Sequence, residues 1–296
     1  MKKLNLLLSI GLLFAFIVAV IISCKKKSDD SPPTPTEPVA YTSASAANGG
    51  QLYDKFWSVE TGFNQSDANM AKFIAKSDFF RCKQCHAWDL LGQNGSYGNR
   101  GANANRPHVA ALGLYAYAQS KTPQELFDGI KKSSGRRDIA ADLSTWDANT
   151  NYTEGDKMPN YSQILTDAQI WDLVKFLKTG AIDVSKLYDA TYTGTYPTRT
   201  TVYANIGTTG VAADGNTYYS SNCLGCHGSD GKLIADLDGT VGMTAGKFLR
   251  NKPNELQHKI KFGQLGSSMS SGFPEITLSQ IQNLYKALTD TLIYSN

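Results

Sequence analysis

The chain is poor in several things, and each shortage narrows what it can be. Its 296 residues include only five cysteines, four histidines and five methionines. Net charge is +3, from 29 Lys and Arg against 26 Asp and Glu. So small and evenly spread an excess excludes a protein held on nucleic acid by a basic face, and no nucleic-acid partner is expected. With 41% hydrophobic and 19% charged residues, the composition also excludes a disordered chain. The length suits one large domain or two small ones.

What is present begins with an export signal. Lys2 and Lys3 precede a nearly unbroken apolar run from Leu6 to Ile22, which ends at Ser23-Cys24 before Lys25-Lys26-Lys27. A run of this length also suits a membrane-spanning helix. Ser23 directly before Cys24 resembles the lipobox of bacterial lipoproteins. That resemblance implies a signal peptide over residues 1–23, cleavage before Cys24 and lipid attachment at Cys24. Several acyl chains on one cysteine make a stable anchor. Either reading places the remainder outside the cytoplasm on a bacterial membrane, periplasmic or at the cell surface. Lys25, rather than Asp, favours the outer membrane by analogy with enteric lipoproteins. Residues 24–44 contain Ser31-Pro32-Pro33-Thr34-Pro35-Thr36-Glu37-Pro38 and are expected to be an extended tether.

The other four cysteines form two pairs. Cys82-Lys83-Gln84-Cys85-His86 and Cys223-Leu224-Gly225-Cys226-His227 both read C-x-x-C-H, the attachment pattern of c-type haem. Two thiols one helical turn apart reach the two vinyl groups of one haem, and the adjacent histidine supplies an axial imidazole. A four-cysteine zinc site leaves both histidines unexplained. A redox C-x-x-C expects a βαβ setting that is missing here. Disulfides suit an exported chain, but not a histidine after each pair. Two covalently bound haem c groups are expected, at Cys82 and Cys85 and at Cys223 and Cys226.

An internal repeat supplies the second axial ligands. Pro123-Gln124-Glu125-Leu126-Phe127-Asp128-Gly129-Ile130-Lys131 matches Pro253-Asn254-Glu255-Leu256-Gln257-His258-Lys259-Ile260-Lys261. Pro opens a helix in both, with Leu and Ile four apart on one face. Leu165-Thr166-Asp167-Ala168-Gln169-Ile170 matches Ile276-Thr277-Leu278-Ser279-Gln280-Ile281. Thr followed three residues later by Gln reads as a capping box with a hydrophobic staple, and an apolar stripe follows each. Met158 and Met269 each lie eight residues before the capping threonine. A soft thioether at that place suits haem iron, so the axial pairs are His86 with Met158 and His227 with Met269.

At this point the chain resembles class I cytochromes c. The resemblance covers about residues 45–296 and implies an all-α fold of two tandem domains, 45–185 and 206–296. An extended Thr/Tyr-rich connector over 186–205 joins them. Met158-Pro159 is the family's usual pair, whereas Met269 is followed by Ser270. Gly49 with Tyr53, and Gly215 with Tyr219, match the first helix, whose glycine in the family packs against the last. The first half departs by inserting residues 54–81 and a further stretch before Met158: Ile130 to Met158 is 28 residues, Ile260 to Met269 only 9. Pro107 is placed as the support of His86. Met70 and Met243 read as core, His108 as a loop residue and His258 as helix surface. Lys247, Arg250, Lys252, Lys259 and Lys261 form a basic run read as a solvated face.

The function expected is single-electron transfer between respiratory or dehydrogenase partners by a membrane-anchored carrier, without catalysis. Two alternatives stay open. One is a dihaem enzyme acting on peroxide or sulfur compounds through a labile haem, although no cysteine is left to ligate iron. The other is an electron-accepting subunit of a larger oxidoreductase.

Overall fold

The computed structural model describes residues 37–56, 80–95, 112–140, 157–194 and 199–296. The apolar segment, Cys24, the proline-rich stretch, Met70, Pro107 and His108 lie outside the described residues. Among those described, no helix is long and apolar enough to cross a membrane.

The fold is mainly helical. In chain order the described helices are α1 Val39–Thr42, α2 Ala46–Lys55, α3 Cys82–His86, α4 Tyr115–Ser120, α5 Pro123–Lys131 and α6 Asp167–Lys175. Then follow α7 Ala212–Asn222, α8 Leu224–His227, α9 Ala245–Asn251, α10 Pro253–Phe262 and α11 Leu278–Leu288. Local chemistry starts several of them. Thr122 with Glu125, Thr166 with Gln169 and Thr277 with Gln280 form complete capping boxes at α5, α6 and α11. Each box satisfies two backbone N–H groups that the first turn leaves unpaired. Pro at the first position of α5 and α10 fixes φ where no N–H is needed.

Two helix crossings organise the packing. α2 crosses α6 at Gly49, where a Cβ would run into the Asp172 carbonyl. α7 crosses α11 at Gly215, where a Cβ would run into the Asn283 carbonyl. Around the first crossing Ile170, Val174 and Phe176 are buried; around the second, Ile281, Leu284 and Leu288. Fully burying one such side chain contributes about 2 kcal/mol. α6 closes with a π-helical turn at Phe176–Gly180.

Residues Pro38–Asn296 form one compact unit. α10 lies between the two cores: Phe262 belongs to the first and Ile260 to the second. Gly50 of α2 admits the Phe262 ring, since a Cβ there would overlap it.

One expectation needs correction. The folded part starts inside the stretch read as tether, because Tyr41 of α1 is buried, 6.4 Å between ring centroids from Trp171, with the Lys175 ammonium 4.3 Å above its ring. The connector is extended chain, as its Thr/Tyr alternation implied, and it closes on itself as a hairpin. Asp189–Thr193 (β1) and Thr200–Ala204 (β2) pair antiparallel, Asp189 opposite Ala204 and Thr193 opposite Thr200. Alternation turns Tyr192 and Tyr203 inward. The hydroxyl of Tyr188, just before β1, donates to Asp89 at 3.3 Å, and Thr201 donates to Asn94 at 2.6 Å. Both partners follow the first C-x-x-C-H, so the connector is clamped to that segment.

Candidate functional site

Cys82, Cys85, His86 and Met158 line one cavity of about 460 Å³, with Tyr53, Leu126, Ile130, Leu173 and Leu177 among its walls. α3 carries the first three side chains within a single helical turn. Cys82 is half-buried, and burial pushes its thiol up to about 11; its Sγ lies 3.7 Å from the Tyr161 hydroxyl. That hydroxyl donates to the Phe80 carbonyl at 2.6 Å. His86 Nδ1 lies 3.3 Å from the Leu112 carbonyl. The tautomer that donates there leaves Nε2 with its lone pair free for a metal. Burial holds the His86 pKa below its ordinary value, which keeps the ring neutral. The described partner of His86 Nδ1 is the Leu112 carbonyl; Pro107, expected to support this histidine, lies outside the described residues.

Met158 is held by backbone pairing. Arg137 N–H donates to the Met158 carbonyl at 2.9 Å, and Asn160 N–H returns to the Arg137 carbonyl at 2.8 Å. Arg137 is buried, its guanidinium 4.6 Å from the Phe80 ring centroid. Arg136 also lines the cavity; one of its nitrogens donates to the Gly129 carbonyl, while Nε is buried without a partner. Behind the cavity Asp54 pairs with Arg81. Burial, the largest single influence, raises the Asp54 pKa; the Arg81 guanidinium, His258 and Lys259 together outweigh it and hold the carboxyl below its usual range.

A second cavity, about 90 Å³, is lined by Cys223, His227 and Met269. Its walls repeat the first. Tyr219, Leu256, Ile260, Leu284 and Leu288 stand where Tyr53, Leu126, Ile130, Leu173 and Leu177 stand in the other. The Tyr53 hydroxyl donates to the Ala87 carbonyl at 2.6 Å and the Tyr219 hydroxyl to the Gly228 carbonyl at 2.9 Å, in each case the residue after the motif histidine. Cys226 does not line this cavity and is exposed. His227 Nδ1 is buried without a partner, so no described protein group competes for that ring nitrogen.

Both donor sets fit a covalently held haem. Each joins thiols, a neutral imidazole and a thioether against apolar walls. At the first site, the unpartnered Arg136 Nε suits an acidic group such as the carboxylates haem carries. The enclosed space at the second is much smaller, and the exposed Cys226 leaves that side open. Among the described residues no three His, Cys, Asp or Glu side chains converge as a metal-ion site, and the four cysteines are free thiols.

Two further sequence readings change. His258 is 1% exposed, although its counterpart Asp128 lies at the surface. The cause is the position of α10 between two cores, which leaves it no solvent face at that turn. The basic run is not a solvated face: Lys259 pairs with Glu255 at 3.2 Å, Lys252 pairs with Asp238, and Arg250 donates to the carbonyls of Leu288 and Tyr294. Met243 is buried and does not line the second cavity. Leu112, Arg136 and Tyr161 went unforeseen, whereas Tyr53 with Tyr219, and Leu126 and Ile130 with Leu256 and Ile260, carried a signal as matched positions of the repeat.

Residues 71–181 match the family model of cytochrome c. The matched cytochrome c segment contains Cys82, Cys85, His86 and Met158 and supports haem-based electron transfer by this part of the chain. It is consistent with the helical fold. No curated protein and no solved structure matches the chain.

Proposed function

We propose that the chain is a dihaem c-type cytochrome lipoprotein, two cytochrome c domains in tandem, that passes single electrons between redox partner proteins. His86 with Met158 and His227 with Met269 would hold the two irons, Cys82, Cys85, Cys223 and Cys226 would carry the two haems, and Cys24 would carry the lipid. The observation that carries this reading is the repeated lining. Eight wall positions recur in the two cavities as equivalent residues, each set including the motif histidine and the following methionine.

When bound, haem supplies a one-electron iron centre. The chain's own part is enclosure and orientation. Apolar walls exclude water, Leu112 fixes the His86 ring, and the Arg137 pairing presents Met158. A histidine and a methionine holding one iron would leave no position for substrate, which favours transport over catalysis.

Carbon monoxide binding to the reduced, haem-loaded mature protein tests this. No spectral change is expected at either haem. Rapid binding at one would favour the dihaem enzyme. Mass spectrometry of the mature chain is expected to show two haems and a lipidated N-terminal cysteine.

A further inference from the structure

The two sites are joined by one short chain of bonds. Trp88 follows His86 by two residues, and its carbonyl accepts a hydrogen bond of 2.8 Å from Gln257 Nε2. Gln257 is on α10, flanked by Leu256 on one side and His258 then Lys259 on the other; Leu256, Lys259 and Ile260 line the second cavity. From the first axial histidine to the second cavity wall, the route is covalent except for that hydrogen bond.

Packing around the bond holds it in place. Gln257 is 4% exposed and also donates to the Asn254 carbonyl at 3.0 Å. Trp88 is buried; the Lys83 and Lys259 ammoniums each lie 4.8 Å from its ring centroid, one from each half of the chain. The His258 ring lies 4.7 Å from Trp88 and 6.0 Å from Tyr53, centroid to centroid, and Tyr53 is itself a wall of the first cavity. The bond itself is thus packed among buried side chains, although Trp88 also lines an open cleft with Lys83, Asn254 and Glu255.

We infer that the Gln257–Trp88 hydrogen bond is the internal bridge for electrons between the two sites, with Gln257 its positioning residue. The inference rests on the two-haem reading. A through-bond route with one hydrogen bond couples two centres better than a van der Waals gap of the same span. The step is a single-electron exchange: one site is oxidised by one electron as the other is reduced by one. No bond forms or breaks and no proton moves. The electron enters from an external donor protein and leaves to an acceptor protein.

The test uses the full haem-loaded chain. It is reduced by a pulse delivering less than one electron per molecule, and the redistribution is followed optically. Gln257→Met removes the donor at similar volume. Gln51→Met is the control, because Gln51 bonds the Phe262 and Ser270 carbonyls between the same two halves but off the route. A several-fold slower exchange in Gln257→Met alone, with both midpoint potentials unchanged, is expected. An unchanged rate overturns the bridge, and equal slowing in both variants reduces it to loosened packing. Gln257→Asn, one methylene shorter, serves if the Met variant does not fold. Fewer than two haems in the parent chain overturns the two-haem reading and the bridge with it. Two haems with an unaffected rate overturns the bridge alone.

Discussion

The two cavities share their walls but not their supports. At the first, the motif histidine is tied to Leu112, the methionine loop is pinned through Arg137, and the ion pair of Asp54 with Arg81 stands behind. At the second, His227 Nδ1 has no partner, Cys226 faces solvent, and Ser220, the counterpart of Asp54, is exposed. The lining residues come from the repeated helices, so both halves have them. Leu112 and Arg137 come from segments that the second half has in shorter form. The larger cavity therefore goes with the added chain. A repeat fixes which side chains point at a cofactor, and the supporting residues decide how firmly they are held.

The widest separation between the sites comes from removing attachment. Replacing Cys82 and Cys85 together by Ala should leave one covalent haem per chain, and replacing Cys223 and Cys226 the other one. Intact-mass measurement counts them. Two haems retained after either change would break the comparison at its root. Next come the methionines. Met158→Ala and Met269→Ala should each lower the potential of one haem and let carbon monoxide bind there, since a lost thioether favours the ferric state and opens the iron. Redox titration of each variant would show a misassigned ligand as an unchanged midpoint.

These sites were legible in the sequence because their signals are local. A C-x-x-C-H motif, a Thr with Gln three residues on and a Leu with Ile four apart all sit within one or two helical turns. The capping boxes at Thr166 and Thr277 and the glycine contacts of Gly49 and Gly215 stand as the pattern implied. The junction between the halves was not legible. His258 occupies a helical position whose counterpart Asp128 is exposed, and it is buried by residues far away in the chain, Tyr53, Trp88 and Phe176, together with Phe262 of its own helix. The connector was hidden likewise: alternating Thr and Tyr announce extended chain, while the partner that clamps it, Asp89, belongs to another segment.

Asp54 sharpens the comparison by stability. Asp54→Ala removes the carboxylate that Arg81 faces in a largely buried setting and should cost about 3 kcal/mol. Ser220→Ala at the matching exposed place should stay within about 0.5 kcal/mol. Urea unfolding of both variants gives the two numbers. Similar losses would mean that the second site has hidden support of the same kind.

The junction itself has a pH signature. Burial, chiefly, lowers His258 to about 3; Asp54 acts against that shift, while Lys259 and Lys83 add to it. An unfolded histidine titrates near 6.5. Below that pH the unfolded chain takes a proton that the folded chain refuses until about 3. Stability from this group is therefore complete above about 6.5 and falls with pH by about 1.4 kcal/mol per unit below it. His258→Leu should flatten the slope, read as the difference between the two proteins at about pH 4.5 and pH 6. Parallel curves would place the ring in contact with solvent.

The finest distinction is one backbone position. After each motif histidine the chain turns with nearly the same angles, Ala87 at φ 62°, ψ 169° and Gly228 at φ 76°, ψ 168°. Glycine adopts this region freely, whereas a Cβ there is strained by about 1 kcal/mol or more. The first site thus holds strain that the second avoids, with the Ala87 carbonyl fixed by Tyr53 and its side chain buried. Ala87→Gly should stabilise the protein by about 1 kcal/mol once the greater freedom of the unfolded glycine is offset. Gly228→Ala should destabilise it by at least as much, because the new Cβ also meets the Leu233 Cβ at 3.1 Å. Thermal melting of the two variants against the parent decides it. If Ala87→Gly loses stability, the packing of the methyl group outweighs the strain, and the turn at the first site is held by its surroundings rather than imposed on them.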